Sequence, residues 1–563
     1  MKIALCPINP TVGDIAGNAQ QILDRAHRHR DADLIAFPEL ALIGYPPRDL
    51  LLHTHTIDAC QHALAELTRN LPSKPTIVIG LPMPGSQPGN HPGSITNSLA
   101  VIQNNSVALR YDKRLLPNYD VFDEVRYFTP GRETAVLDIA GERIGLAVCE
   151  DLWRGADAQA AHRYADAPDP IDELTRAGIT LMLTPSASPF VGGKHAHHAD
   201  ILRDSAIRLS APVLSLNQLG ANDDLIFDGS ASATNAQGHT IARTPRFTGQ
   251  DLVIDTNELP NAEPLPAPND HRDDMLIEAL TLGVRDYAHK SRFTTACLGL
   301  SGGIDSAVTA AIAARALGPN NILGIAMPGK YSSDHALADA RDLATSLGLR
   351  FAVAPIAEPF DGFRQRIDTL FADIERPTLG QTMPDVTEQN LQSRIRGSLM
   401  MAVSNRTGDL LLTTGNKTEL AVGYCTLYGD MNGGLAVLSD LYKQDVYSIA
   451  QRLNEAHAKL GFTNPPIPPS TIDKPPSAEL APDQLDTDTL PPYDLLDAIV
   501  ELAIDHRASA EKIVEATGAD RAIVDRMLRL IRINEYKRYQ MPLGLKLTPV
   551  AFGRGRRMPL ARL

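Results

Sequence analysis

The sequence predicts an α/β protein of two domains, and three observations support this prediction. First, 563 residues are too many for one ordinary hydrophobic core. Second, short β-rich runs alternate with helical patterns on both sides of a proline-rich stretch, Glu258 to Asp270. Third, the prolines of that stretch are incompatible with regular structure and predict a linker. We therefore expect domains at residues 1–257 and 271–563, joined by a linker at 258–270.

The individual elements are predicted from apolar runs bounded by polar residues and turns. The clearest predicted strands of the first half are the amino terminus from Met1, Leu34 to Phe37, Thr76 to Gly80, Arg143 to Val148, Thr180 to Leu183 and Val213 to Asn217. Its clearest helices are Asn18 to Arg28 and Ala59 to Leu71. The second half has predicted strands at Ala296 to Leu300, Ile322 to Ala326, Arg350 to Ala354 and Asp409 to Thr413, and helices from Asp273 and at Ser306 to Leu317.

Composition excludes several classes of function. The 53 Lys and Arg and 67 Asp and Glu give a net charge of −14, which argues against nucleic acid or an anionic membrane as the main partner. No apolar stretch approaches the roughly 20 residues that span a bilayer, and the amino terminus lacks the features of a signal peptide. The five cysteines are few, odd in number and widely spaced, so they predict no disulfide framework and no zinc site. We expect a cytoplasmic protein.

The most informative segment of the chain is a glycine-rich turn between a predicted strand and a predicted helix, Gly299-Leu300-Ser301-Gly302-Gly303-Ile304-Asp305-Ser306. Such a turn directs backbone N–H groups and the positive end of the helix dipole toward a phosphate. It lacks the Lys-Ser/Thr ending of a Walker A loop and carries Asp305, a possible metal ligand beside bound phosphates. The alternative interpretation is a tight turn without a ligand.

A second group of candidate residues lies in the first half. Glu39 follows a strand in Phe-Pro-Glu-Leu, Lys113 lies in Asp-Lys-Arg-Leu-Leu-Pro, and Cys149 ends a strand in Cys-Glu-Asp-Leu-Trp. A cysteine is a nucleophile once it is deprotonated, a glutamate can accept its proton, and a lysine can stabilise an oxyanion. Each residue alone has an ordinary explanation, namely an inert core thiol or surface charges. The joint pattern favours catalysis.

These motifs resemble two known groups of enzymes. The Glu, Lys and Cys contexts resemble the nitrilase superfamily, which hydrolyses carbon–nitrogen bonds through a thioester. The glycine turn resembles the pyrophosphate loop of the ATP pyrophosphatases. Their fusion resembles the glutamine-dependent NAD⁺ synthetases over essentially the whole chain. The resemblance implies an αββα four-layer sandwich followed by a doubly wound, Rossmann-like parallel sheet. It also implies that glutamine-derived ammonia amidates the adenylated nicotinate carboxylate of deamido-NAD⁺.

The resemblance also assigns roles to residues of this chain. It implies that Glu39, Lys113 and Cys149 are catalytic, and that Tyr119, Ser188 and Lys194 contact glutamine. The implied ATP-binding residues are Gly299, Leu300, Ser301, Gly302, Gly303, Ile304, Asp305, Ser306, Thr414 and Lys443. The implied deamido-NAD⁺ contacts are Asn390, Glu419, Tyr424, Cys425, Thr426, Leu427 and Lys537. Asp305 and Glu419 would share a Mg²⁺ ion, the segment Lys474 to Leu480 would close over the reacting centre, and the chain would form a homo-oligomer.

Some alternatives stay open at this point. The same architecture could amidate a different carboxylate or carbonyl, or the chain could be a nucleotide-binding protein with an inactive amidase domain. His195, His197 and His198 suggest a metal site, but a solvated loop is the favoured interpretation. The carboxyl-terminal region from Arg529 is rich in Lys and Arg in an acidic protein. Its Arg554, Arg556 and Arg557 are undecided between ligand, subunit interface and solvent.

Overall fold

The structure is a computed structural model that describes residues 1–85, 93–154, 161–376, 379 and 385–561. The chain forms two compact units, Met1–Asn269 and Asp270–Leu563. Among the described residues, the helices are all too short or too polar to cross a membrane. The predicted linker contains a short 3-10 turn, Leu259–Asn261, in which Pro260 lies in the first turn.

In the described residues of the first unit, the strands form two large sheets and one hairpin, and four α-helices accompany them. Its strands are β1 (Lys2–Leu5), β2 (Leu34–Ala36), β3 (Thr76–Pro84), β4 (Ile95–Gln103), β5 (Ser106–Asp112), β6 (Val136–Ile139), β7 (Glu142–Leu146), β8 (Leu181–Ser186), β9 (Val213–Asn217), β10 (Leu219–Asn222), β11 (Leu225–Asp228), β12 (Ala231–Thr234), β13 (Thr240–Arg243) and β14 (Leu252–Asp255). Its helices are α1 (Ile15–Arg28), α2 (Thr54–Asn70), α3 (Pro170–Arg176) and α4 (Lys194–Leu209).

The two six-stranded sheets of this unit have the orders β14-β1-β2-β3-β4-β5 and β13-β12-β9-β8-β7-β6. Side chains alternate between the faces of each strand, so Ile3 and Leu5 enter one core and Ala4 and Cys6 enter another. The first of these cores lies between the sheets, because it also contains residues of the second sheet such as Leu183. Helices α1 and α2 cover one outer face, and α3 and α4 cover the other. The result is the four-layer αββα sandwich.

The second unit is a single sheet with helices. Its helices are α5 (Arg272–Lys290), α6 (Ile304–Leu317), α7 (Asp334–Leu347), α8 (Ala357–Asp373), α9 (Val386–Thr407), α10 (Lys417–Val422), α11 (Lys443–Glu455), α12 (Pro469–Asp473), α13 (Tyr493–Ile504), α14 (Ala510–Thr517), α15 (Arg521–Ile533) and α16 (Glu535–Arg538). Its strands are β15 (Ala296–Gly299), β16 (Ile322–Ala326), β17 (Arg350–Val353), β18 (Leu410–Thr413), β19 (Leu435–Ala436) and β20 (Leu543–Gly544).

All strands of this sheet are parallel, in the order β17-β16-β15-β18-β19-β20. The chain moves from β15 toward β17 on one side and from β18 toward β20 on the other. The order therefore reverses between β15 and β18, and a crevice opens at the carboxyl ends of these two strands. The glycine turn follows β15, and Thr414 follows β18, so both lie at this crevice.

The predicted strands and helices are confirmed, with shifts at their ends. Helix α1 begins at Ile15, ahead of the predicted Asn18, because the Asp14 carboxylate caps it by accepting from Gly17 N at 3.0 Å. Strand β7 ends at Leu146, because the Val148 N–H donates to the Asp151 side chain at 2.9 Å instead of to a neighbouring strand. Strand β5, whose first half is exposed, and the four-residue strands β10 to β14 were not predicted.

Candidate active sites

Three of the predicted residues meet where strands of the first unit end. Glu39 follows β2, Lys113 follows β5, and Cys149 follows β7. Lys113 Nζ donates to Glu39 Oε1 at 2.7 Å, and both side chains are buried. Glu39 also accepts from Asn97 Nδ2 at 2.7 Å and from Ala187 N at 2.9 Å, so its orientation is determined by three donors. The charges of Glu39 and Lys113 both act on the Cys149 thiol.

Asp151 holds these segments together, although the sequence analysis gave it no role. Its buried carboxylate accepts from Arg114 N at 3.0 Å and Leu115 N at 2.9 Å, next to Lys113. It also accepts from Val148 N at 2.9 Å, next to Cys149. A single buried acid therefore ties the loop after β5 to the turn after β7. The position of Asp151, two residues after the candidate nucleophile, was the only sequence signal.

The electrostatics of the site favour a neutral thiol in the resting state. Burial raises the pKa of the Cys149 thiol well above its ordinary value, Glu39 raises it further, and the Lys113 ammonium opposes this. Burial disfavours the Lys113 ammonium, but Glu124 and Glu39 together raise the pKa of Lys113. The thiol must therefore lose its proton to a base at the moment of attack. Glu39, which the sequence predicts to be catalytic, is a buried carboxylate whose charge acts on the thiol, and it can serve as this base.

Glu124 is a further member of the cluster that sequence reasoning missed. Lys113 Nζ donates to Glu124 Oε1 at 2.9 Å, and Tyr45 OH donates to the same oxygen at 2.9 Å. Burial is the main reason that the pKa of Glu124 is raised, with a further contribution from Glu39. The Lys113 ammonium thus bridges two buried carboxylates, which holds its Nζ in place beside the thiol.

The residues predicted to contact glutamine form two groups. Tyr119 OH donates to both oxygens of Glu150, at 3.0 and 3.1 Å, and Tyr164 OH donates to Glu150 at 2.6 Å. Lys194 Nζ donates to Ser188 Oγ at 3.3 Å and lies 5.3 Å from the centre of the Trp153 ring. Glu150 is buried directly after Cys149, and the Lys194 charge acts on it. The charge of Lys194 therefore links the two groups at Glu150, next to Cys149.

The histidines near Lys194 lie in helix α4, which corrects the expectation of a solvated loop. The His197 and His198 rings pack on Trp153, with centroid distances of 5.6 and 6.4 Å. Burial and the Lys194 charge lower the pKa of His198 to about 4. Within the described part of the chain, the one group of side chains spaced to hold a metal is elsewhere, at Cys6, His29 and Asp251. There, Arg25 donates to Asp251 at 2.6 Å, so a cation already neutralises that acid.

In the second unit, the predicted nucleotide site is a cavity of about 490 Å³ at the crevice of the sheet. Fifteen of the predicted residues line it. They are Gly299, Leu300, Ser301, Gly303, Ile304, Asp305, Ser306, Asn390, Thr414, Glu419, Tyr424, Cys425, Thr426, Lys443 and Lys537. The cavity extends from the glycine turn, where it meets α6, along α9 to the loop after α10 and to Lys537 of α16.

Gly302 and Leu427 are not among the lining residues. Gly302 has a φ of +76°, and a Cβ there would lie 2.4 Å from the Ala336 carbonyl oxygen in α7. The turn therefore needs glycine for its close packing against α7. Leu427 packs against an apolar cluster that includes Leu496 and Val500 of α13. It therefore anchors the loop after α10 to the apolar core instead of lining the cavity.

A buried lysine joins the two acids that were predicted to hold Mg²⁺. Lys443 Nζ donates to Asp305 Oδ2 at 2.5 Å and to Glu419 Oε1 at 2.9 Å. Tyr493 OH donates to the same Glu419 oxygen at 3.3 Å, and the Lys443 ammonium lies 5.2 Å from the Tyr493 ring centre. Burial disfavours the ammonium, yet Asp305 and Glu419 raise the pKa of Lys443. Burial raises the pKa of Glu419 to about 7, against the effect of Lys443.

Lys417 belongs to the same sequence motif as Glu419 but has a different position. Its fully buried Nζ donates to Asp505 at 2.9 Å and to Thr548 Oγ1 at 2.5 Å, and lies 3.1 Å from Asp440. It does not line the cavity. This lysine therefore joins α10 to α13 and to the chain after β20, and its role is structural.

We predict that Lys417→Met lowers the free energy of unfolding of the second unit by about 3–5 kcal/mol, because two buried carboxylates lose their cation. Urea unfolding followed by far-UV circular dichroism measures the loss. The fluorescence of Trp153, the only tryptophan, reports the first unit separately. The control is Lys459→Met, which removes a lysine that is 68% exposed and paired with Asp274, and should cost at most about 1 kcal/mol. Equal losses in the two variants would contradict the structural role.

A hydrogen-bonded loop forms the side of the cavity that was predicted to contact the dinucleotide. Lys537 Nζ donates to the carbonyl oxygens of Gly423 and Cys425, both at 2.7 Å. Thr426 Oγ1 donates to Asn390 Oδ1 at 2.8 Å, which ties the loop to α9. The Lys537 ammonium therefore shapes the loop that carries the predicted contacts.

The segment from Lys474 to Leu480 also lines the cavity. Lys474 Nζ donates to Glu479 Oε1 at 2.7 Å, and Ser333 Oγ donates to the same oxygen at 3.0 Å.

In the carboxyl-terminal region, Arg556 donates to both oxygens of Glu535, at 2.5 and 2.6 Å, so it has a structural partner. Arg554 and Arg557 are exposed.

Each half of the chain matches a known protein family. The carbon-nitrogen hydrolase family model matches residues 2–263, and the NAD synthase family model matches residues 276–542. The chain is 43% identical to the glutamine-dependent NAD(+) synthetase of Synechocystis sp., over 100% of this chain and 98% of that protein. It is 39% identical to the protein of the same name from Acinetobacter baylyi, over 99% and 98% of the two chains.

A solved structure shows the same architecture. The glutamine-dependent NAD⁺ synthetase of Acinetobacter baumannii, determined with ADP, is 35% identical and has a TM-score of 0.75, with 99% of this chain and 98% of that chain covered. Relatives of this identity, matched over nearly their whole length, establish the family and the two-part architecture together. The chain belongs to the glutamine-dependent NAD(+) synthetases.

Proposed function

We propose that this chain converts deamido-NAD⁺, ATP and glutamine to NAD⁺, AMP, pyrophosphate and glutamate, with the chemistry divided between its two sites. The observation that carries this proposal is the presence of two charged clusters in one chain. One is Glu39, Lys113 and Cys149, and the other is Asp305, Glu419 and Lys443. We also propose the domain boundaries 1–257 and 271–563, with the linker at 258–270.

The first cluster supports hydrolysis of the glutamine side-chain amide. Cys149 Sγ attacks the amide carbon while Glu39 accepts the thiol proton, and Lys113 Nζ stabilises the oxyanion. Glu39 then returns the proton to the departing nitrogen, and ammonia leaves a thioester. Water activated by Glu39 hydrolyses the thioester to glutamate and restores the thiol. We propose that Tyr119, Ser188 and Lys194 contact the glutamine.

We predict that Glu39→Gln separates the two effects of this carboxylate. Glutaminase activity should fall by about 10³-fold, because the amide cannot accept the thiol proton. The pKa of Cys149 should fall as well, since Glu39 is the largest charged contributor that raises it. More thiolate is then present at a fixed pH, so Cys149 should react faster with iodoacetamide. Mass spectrometry of the Cys149 peptide measures this rate between pH 6 and 9.

The matched control is Glu142→Gln, which changes a carboxylate at the start of the strand that leads to Cys149. Its glutaminase activity and alkylation rate should match those of the wild type. Slower alkylation of Glu39→Gln than of the wild type would contradict the assigned electrostatics, even if its glutaminase activity were lost.

The second cluster supports adenylation. The nicotinate carboxylate attacks the α-phosphorus of ATP, pyrophosphate leaves, and ammonia then displaces AMP from the acyl adenylate to form the amide. The backbone N–H groups of the glycine turn and the amino-terminal end of α6 would hold the phosphates, and Lys443 would neutralise their charge. We propose that Asn390, Tyr424, Cys425, Thr426 and Lys537 serve the deamido-NAD⁺ end of the cavity, with Leu427 packed behind them.

The acids of the cavity fit a Mg²⁺ ion that would accompany ATP. Asp305 and Glu419 have partly exposed carboxylates that approach one common ammonium, so their oxygens lie close enough to share one cation. When bound, Mg²⁺ would neutralise charge on the triphosphate. We propose Asp305 and Glu419 as its protein ligands.

The proposed function is tested by NAD⁺ formation from deamido-NAD⁺, ATP and Mg²⁺, with glutamine or ammonium chloride as the nitrogen source. Wild type should use both sources. Glutamine hydrolysis without NAD⁺ formation from either source would favour the alternative, amidation of a different carboxylate or carbonyl acceptor.

We further propose that the chain forms a homo-oligomer, which sedimentation equilibrium tests. We also propose a reducing cytoplasmic location, which the free thiols support.

A further inference from the structure

The ammonium of Lys443 lies where a cation shared by Asp305 and Glu419 would lie. Its Nζ is within hydrogen-bond distance of one oxygen from each acid, at 2.5 and 2.9 Å. The side chain is 3% exposed, so water screens these contacts weakly. Asn416 Nδ2 donates to the other Asp305 oxygen at 2.9 Å, and Tyr493 OH donates to Glu419 Oε1 at 3.3 Å. These hydrogen bonds hold the two carboxylates in positions where both can contact one cation between them.

A divalent ion bound to both acids cannot coexist with the ammonium in this position. Mg²⁺ needs oxygen ligands at about 2.1 Å, a shorter distance than an ammonium keeps from a carboxylate. An ion bound to both carboxylates would therefore lie next to the Lys443 ammonium. Two cations this close repel each other strongly in a site that water screens weakly. One of the two cations must therefore leave when the other binds.

We propose that Lys443 and a divalent cation compete for the position between Asp305 and Glu419, and that the ion takes this position when ATP supplies phosphate oxygens for the ammonium. This inference rests on the proposed function, since it takes Asp305 and Glu419 as the metal ligands. The exchange keeps every charge paired, because the ammonium moves from carboxylates to phosphates as the metal arrives. Without nucleotide, the ion must compete with the ammonium for both acids, so the ion alone binds weakly.

The exchange predicts an unusual effect of removing a positive charge. Lys443→Met should bind Mn²⁺ at least about tenfold more tightly than wild type without nucleotide, because the competing cation is gone. Electron paramagnetic resonance of free Mn²⁺, titrated into the full chain at pH 8, measures this affinity without turnover. Lys443→Gln is the second variant, which keeps a neutral hydrogen-bond donor if methionine does not fold.

The matched control is Lys474→Met, which removes a cation from the same cavity that is paired with Glu479 instead. It should change the Mn²⁺ affinity by less than about threefold. Adding Asp305→Asn to Lys443→Met should return binding to the wild-type level or below, which places the ion at this acid. Equal or weaker Mn²⁺ binding by both folded Lys443 variants would overturn the exchange, as would tight binding that persists in the double variant. Wild-type NAD⁺ formation is a separate readout, so a failure of the proposed function is distinguished from a failure of the exchange.

Discussion

Cys149→Ala is expected to lower glutamine-dependent NAD⁺ formation by at least about 10⁴-fold while leaving ammonium-dependent formation within about twofold. The variant has no nucleophile, so no thioester forms and glutamine releases no ammonia. The adenylation cavity lies wholly within the second unit, so its residues are untouched. Steady-state NAD⁺ formation with each nitrogen source, together with glutamate release, measures the effect.

The control for this experiment is Cys60→Ala, which removes another buried thiol of the first unit, in α2. Both activities of this variant should survive. Loss of the ammonium-dependent activity in Cys149→Ala would show that the variant disturbs more than the glutaminase site. Retention of the glutamine-dependent activity would exclude Cys149 as the nucleophile.

Asp305→Asn is expected to lower NAD⁺ formation by about 10³-fold with either nitrogen source and to leave glutamine hydrolysis measurable. The amide keeps the shape of the carboxylate but loses its charge. It therefore weakens the contact with Lys443 and supplies a poorer ligand to a divalent cation. Pyrophosphate release and NAD⁺ formation measure the synthetase reaction, and glutamate release measures the glutaminase reaction.

Asp334→Asn is the matched control for this variant. Asp334 is an exposed acid in the first turn of α7, as Asp305 lies in the first turn of α6, but it is not among the cavity-lining residues. Its NAD⁺ formation should stay near that of the wild type. Ammonium-dependent activity above about a tenth of the wild-type rate in Asp305→Asn would contradict an essential charge at this position.

Much of the fold could be predicted because its signals are local. The apolar runs that became β2, β9 and β16 are recognisable within a few residues, and glycine and proline mark the turns between them. Strands that are polar or very short, such as β5 and β19, escaped prediction because they depend on pairing with neighbouring strands. The same limit applies to helix ends, where a cap such as Asp14 decides the start.

Candidate site residues followed the same division. Glu39, Lys113 and Cys149 were recognisable from their motifs, whereas Glu124 and Asp151 became visible only as partners of Lys113 and of the loops beside it. Such partners cannot be recognised from their spacing in the chain, because they lie in different loops and meet only in the folded structure.

The sequence by itself determined the two α/β units, the parallel arrangement of the second sheet and the residue types that carry the chemistry. Their signals lie in short segments or in family motifs. The family motifs already indicated Lys443 for the cavity, and only the tertiary structure decided which acids each lysine pairs with. Lys417 and Lys443 both stand first in a helix, yet one is a buried structural cation and the other bridges Asp305 and Glu419. The physical reason is that the partners of each ammonium are distant in the chain. Lys443 and Asp305 are 138 residues apart, and only packing of α11 against α6 brings them together.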